Sequence, residues 1–251
     1  MRLFFQVTLI LAIFSVVGCS STEKSSDWTV EQLQAQARRH LDNKRWQQAI
    51  DSYKEIARLY PYWDHAAGSH LELIYALYHN NDSKLAIFEA DEFIRLYPSH
   101  ANIDYAYYLR ASSMFESSLT LLERLSRVEP SNLDIEQAQE SFNAFSELVT
   151  KFPQSSYTEE SREKMVNLLN LIGQHEINIG RYYLERGAYI AALNRSKYVI
   201  ERYPEIAAIE DALGIMIQVY TVLGLSALRD DTISILEKNY PKSTHNPKVI
   251  R

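Results

Sequence analysis

Apolar residues recur at helical spacing along most of the chain, and the breaks between apolar runs recur with them. Residues 175–204 show the unit most clearly: two apolar-periodic segments are separated by Glu185-Arg186-Gly187, and the second closes at Tyr203-Pro204. A glycine just past one helical run and a proline just past the next are the stop signals of a helical hairpin. The small residues Ala188, Ala191 and Ala192 fall where two such helices approach closely.

The closing signal repeats. Aromatic-proline pairs stand at Tyr60-Pro61, Tyr97-Pro98, Phe152-Pro153, Tyr203-Pro204 and Tyr240-Pro241, with proline intervals of 37, 55, 51 and 37 residues. Twelve residues before each proline stand Ala49, Ala86, Ser141, Ala192 and Arg229, small in four of the five cases. A small side chain is needed there because two helices of a hairpin cross at that point. Gly187 and Gly224 take the turn position five residues earlier, and Asn43-Lys44-Arg45 and Asn80-Asn81-Asp82 are the first two turns. Periods near 34 residues with this pattern are those of tetratricopeptide repeats, two of them here carrying insertions. The expected fold is all-α, a right-handed α-solenoid of five tetratricopeptide-like hairpins whose concave face is lined by the first helix of each pair. The hairpins span residues 28–61, 62–98, 99–153, 154–204 and 205–241, and a polar tail occupies 242–251. The third contains an irregular insert over 117–134, and Gly173 and Gly180 are expected to kink the long first helix of the fourth.

The N-terminus departs from this pattern. One charge, Arg2, precedes an apolar run that ends at Val17, too short for a lasting membrane span and fitting a secretory leader over residues 1–18. The run ends in Val16-Val17-Gly18-Cys19, which resembles a bacterial lipobox, although an ordinary leader with an incidental cysteine would read similarly. Lipidation of Cys19 by two or three acyl chains would anchor the mature chain stably, since each buried CH₂ contributes about 0.8 kcal/mol. Ser20 follows Cys19, which favours the periplasmic face of the outer membrane, and residues 19–27 form a polar tether. Cys19 is the chain's one cysteine, so no intrachain disulfide can form.

Composition narrows the functional classes. A net charge of −6 without basic runs longer than two residues gives no nucleic-acid footprint. His175-Glu176 opens like a zinc-protease helix, but Ile179 stands where the second ligand belongs. His65, His70 and His79 lack a companion ligand set, and no nucleophile motif or phosphate loop appears. No enzyme activity, cofactor or metal is expected.

Seventeen tyrosines leave two readings. They pack the repeats together, or some line a groove that grips a peptide by stacking and hydroxyl hydrogen bonds; Tyr60, Tyr62, Tyr105 and Tyr182 are the candidate groove positions. Arg195, beside Asn194, is equally open: a solvated second-helix arginine, or one that pairs with a partner's carboxylate.

The lipobox, the five hairpins, FIRLYP at 93–98 followed by NIDYAYYLR at 102–110, and HEINIGRYYLERGAYIAALNR at 175–195 together resemble the BamD family. These are lipoproteins of the β-barrel assembly machine in the Gram-negative outer membrane. The resemblance spans essentially the whole chain. It implies a non-enzymatic scaffold and substrate receptor that binds the periplasmic domains of BamA and smaller accessory lipoproteins. It also implies that the N-terminal repeats receive targeting segments of unfolded outer-membrane proteins and that Arg195 with Asn194 contacts BamA. On this reading Arg195→Glu uncouples BamA and leaves melting unchanged. The alternative is a lipoprotein adapter for a peptidoglycan or cell-division machine.

Overall fold

A computed structural model describes residues 28–125 and 135–246. The leader, Cys19 and the tether lie outside the described residues, as do 126–134 of the insert and the end of the tail. Among the described residues there are ten helices and no strands. They are α1 (Val30–Asp42), α2 (Trp46–Leu59), α3 (Ala66–His79), α4 (Ser83–Leu96), α5 (Ile103–Leu125), α6 (Glu136–Lys151), α7 (Thr158–Glu185), α8 (Tyr189–Arg202), α9 (Ala208–Val222) and α10 (Ser226–Asn239). Each packs on its neighbours in sequence, and first helices also touch directly, α3 on α5 and α7 on α9. The architecture is an α-solenoid of five hairpins.

Two backbone devices repeat with the hairpins. The turns inside hairpins one, two, four and five place Lys44, Asn81, Gly187 and Gly224 at positive φ, between 55° and 73°. Each is a Schellman cap: Arg45 N–H donates to His40 O and Lys44 N–H to Leu41 O, and the same pair recurs at Asp82/Asn81, Ala188/Gly187 and Leu225/Gly224. The motif satisfies carbonyls that the helix end leaves open. After each hairpin, the carbonyl of the aromatic residue before proline accepts from the N–H three residues on, and that residue's own carbonyl accepts from the N–H three further on. This double turn runs Tyr60–Trp63–Ala66, Tyr97–His100–Ile103, Phe152–Ser155–Thr158, Tyr203–Ile206–Ile209 and Tyr240–Ser243–Asn246. At the start of the array, Thr29 and Gln32 form a reciprocal capping box on α1.

The small positions do what their spacing implies. Ala49, Ala86, Ser141 and Ala192 are fully buried at helix crossings, and the Ser141 hydroxyl donates to Ala111 O at 3.3 Å. In the last hairpin Arg229 pairs instead with Asp230 on an exposed helix. Among the described residues the core is four successive clusters, one at each junction between hairpins, centred on Tyr53 and Leu77, on Phe93 and Leu109, on Phe145 and Ile172, and on Ile177 and Ile215. Each hairpin therefore buries its apolar face only against its neighbours.

Three expectations change. The first part of the insert is not irregular: α5 continues as helix through Leu125. The long helix α7 runs unbroken through Gly173 and Gly180. These glycines serve close approach: a Cβ on Gly173 would lie 2.0 Å from Ile206 Cδ1, and one on Gly180 would lie 3.3 Å from Ile215 Cδ1. Finally, the first residues of the polar tail fold back. Ser243 and Asn246 are buried, and the His245 ring covers Gly214 on α9 while Nε2 meets Asp211 at 2.8 Å.

Candidate partner-binding surfaces

Arg195 is built into the fourth hairpin from both of its helices. Ala192 and Gly180 let α8 approach α7, and the Arg195 Cβ passes 3.7 Å from where a Gly180 Cβ would stand. The side chain then reaches Glu176, one turn back along α7, where Nη1 donates to Oε2 at 2.9 Å. The two ends differ in exposure: the Glu176 side chain is 10% exposed and that of Arg195 43%. Glu176 is thus a buried carboxylate paired with a guanidinium whose outer edge faces water. Its neighbour His175 is buried too, and burial, with Arg195 nearby, holds its imidazole below the usual histidine range. Asn194 is exposed, one turn from Ile190 and one turn from Tyr198. Ile190 is 62% exposed and Tyr198 40%, so a polar-apolar strip runs along the outside of α8 beside the guanidinium.

This geometry corrects one sequence expectation. Arg195→Glu would set a second carboxylate against a buried one, so its melting temperature would fall; removing the cation from a buried pair leaves an uncompensated charge.

A second surface lies at the other end. A cleft of about 610 Å³ opens between α1 and α3, lined by Arg38, Trp63, His65, Gly68 and His100 among others. Its floor is a polar network: Ser69 Oγ donates to Gln34 Oε1 at 2.8 Å, Gln34 Nε2 to Glu72 at 2.9 Å, and Arg38 Nε to Glu72 at 3.1 Å. Gly68 faces the cleft with open space where a Cβ would be. A smaller cavity of about 240 Å³ lies between α2, α3 and α4, where His70 meets Glu89 at 2.8 Å.

The four groove candidates stand apart on four elements. Tyr60 ends α2, lines the smaller cavity and donates its hydroxyl to Trp28 O at 3.0 Å, fastening the start of the array. Tyr62, in the loop beyond it, is 97% exposed. Tyr105 on α5 stacks on Tyr108 and on Tyr157, with centroids 6.3 and 5.1 Å apart, and burial raises its hydroxyl well above the ordinary tyrosine range. Tyr182 on α7 carries the Arg186 guanidinium 4.2 Å above its ring. His79 stacks on Trp46 at 4.8 Å, and among the described residues no three or more His, Asp or Glu side chains converge as a metal site.

Residues 26–236 match the family described as "YfiO: Outer membrane lipoprotein". The chain is also 35% identical over 246 residues, 96% of its length and 92% of the relative's, to the outer membrane protein assembly factor BamD of Neisseria meningitidis. It belongs to the BamD family. The BamD of Xylella fastidiosa is 32% identical over 94% of this chain and 82% of its own, and that of Vibrio cholerae 29% identical over 92% and 96%. These BamD proteins are named as assembly factors, and their family as one of outer-membrane lipoproteins. Among the described residues, no helix is long and apolar enough to cross a membrane.

Two features of this BamD-family chain escape sequence reasoning. Glu176 attracts notice only as half of a broken zinc motif, whereas in the fold it pairs with Arg195 across the hairpin. The Gln34–Ser69–Glu72–Arg38 network joins two hairpins and has no motif in the sequence. Its one sequence signal is the polar pair Gln34/Arg38, one turn apart on the face that α1 turns toward α3.

Proposed function

We propose that the chain is a lipid-anchored scaffold and substrate receptor of outer-membrane β-barrel assembly. Cys19 carries the anchor on the periplasmic face of the outer membrane, and the protein acts by binding. The outside of α8 docks on the periplasmic domains of BamA, with Arg195 and Asn194 at its centre. The N-terminal hairpins receive extended targeting segments of unfolded outer-membrane proteins in the cleft over Gly68, near Tyr60 and Tyr62; Tyr105 and Tyr182 would extend that groove along the first helices. Accessory lipoproteins share the C-terminal hairpins.

The observation that carries the docking half is the half-exposed guanidinium of Arg195, held from beneath by Glu176 and bordered by the exposed Ile190, Asn194 and Tyr198. Interface centres favour an anchored arginine beside apolar and aromatic side chains. Family membership supports the assembly role itself. Affinity purification of the full chain from detergent-solubilised envelopes tests the reading. BamA is the expected companion, reduced when Asn194 is changed to Glu. Recovery of a peptidoglycan synthase without BamA would overturn it.

A further inference from the structure

The geometry points to Glu176 as the positioning residue that presents Arg195 to an acidic side chain of a folded partner. This inference rests on the docking reading above and adds to it a residue that does not itself meet the partner.

Glu176 lies on α7, the other helix of the hairpin from the docking strip, and the whole residue is 7% exposed. A partner lying on the outside of α8 reaches Arg195 first, since that side chain is more than four times as exposed as that of Glu176. The guanidinium presents five N–H donors in a planar fork. One of its terminal nitrogens is committed to Glu176 Oε2, which restrains the position of the fork and leaves its other donors available. The stem is confined as well, because Gly180 leaves it room to lie close against α7 and Ala192 precedes it on α8 at a full crossing. An unanchored surface arginine must be immobilised when a partner binds, which typically weakens association by about 0.5–1.5 kcal/mol. Here part of that immobilisation is already made by Glu176 before the partner arrives.

The groups facing the pair are few. His175 adjoins Glu176 on α7, and Tyr203, at the end of α8, lies close enough for Glu176 to raise its hydroxyl further above the range that burial sets. Neither bonds Glu176 as a second cation, and among the described residues Arg195 is the one cation that does.

Charge and position make opposite predictions for the same substitution. Glu176→Gln removes a negative charge beside Arg195, so charge alone would tighten binding of an acidic partner. The amide holds the guanidinium more weakly than a carboxylate does and adds a donor that repels it, so loss of positioning would weaken binding. Full-length chain in detergent, titrated with purified BamA periplasmic domains, reads the difference in four forms: wild type, Glu176→Gln, Arg195→Met and the double variant, with melting followed in parallel. Glu176→Gln is expected to weaken binding about three- to tenfold when Arg195 is present and less than about twofold when residue 195 is Met. Unchanged or tighter binding by Glu176→Gln would overturn the positioning role. Equal weakening in both backgrounds would also overturn it, since that is the mark of general damage to the hairpin. If Arg195→Met alone leaves binding unchanged, the docking reading fails instead.

Discussion

At Gly173 a Cβ would lie 2.0 Å from Ile206 Cδ1, whereas at Gly68 it would meet no atom within 4 Å. Both sit inside first helices, yet they serve different ends. Gly173→Leu would force α7 away from the entrance to α9 and is expected to destabilise by about 1–3 kcal/mol. Gly68→Ala adds no clash and removes the helix penalty of glycine, so it is expected to stabilise by about 0.5–1 kcal/mol. Thermal unfolding of the two variants checks both signs; a fall in melting for Gly68→Ala would contradict the open cleft. The sequence marks Gly173 and Gly180 as departures from helix preference but cannot say why. A kink and a close approach look alike until the partner residue is known, and Ile206 and Ile215 lie on the far side of an intervening helix. Arg195 and Glu176 are alike in this respect: each is visible in the sequence, and their pairing is not, because it depends on how far α8 is rotated against α7.

Hairpin elements were legible wherever the backbone requirement selects residue types. Glycine or asparagine fills three of the four positive-φ turn positions, and proline follows every second helix. Lys44 is the exception, a long side chain held at φ 55°. The left-handed conformation destabilises a residue with a Cβ by roughly 1–2 kcal/mol, and glycine's added freedom in the unfolded chain offsets part of that. Lys44→Gly is therefore expected to stabilise by about 0.5–1 kcal/mol, a rise of roughly 1–4 °C in melting temperature for a domain of this size. The same change at exposed Lys84, inside α4, is expected to destabilise, and a matching response at both sites would contradict the turn assignment. The insert shows where legibility ends. Nothing between Ser117 and Leu125 breaks a helix, and α5 uses that freedom to run to 23 residues, past the length of α1, α3 and α9. The irregular signal, Glu129-Pro130-Ser131-Asn132, lies outside the described residues.

Across the whole molecule, repetition makes the architecture readable from a single chain. Each hairpin buries its apolar face on the next, so the pattern that specifies one unit specifies the stack. The surfaces that differ between repeats carry the individuality of the protein. The cleft over Gly68 belongs to the first two hairpins, and the strip Ile190, Asn194 and Tyr198 with Arg195 belongs to the fourth. On the proposed reading, their separation along the array would give substrate and scaffold partner distinct sites. The most direct measurement is photocrosslinking in living cells from a photoreactive residue at position 194, compared with one at exposed Phe88 on α4. The account predicts a BamA adduct from 194 and none from 88. Adducts of equal yield from both, or none from 194 while the chain is folded and membrane-bound, would contradict it.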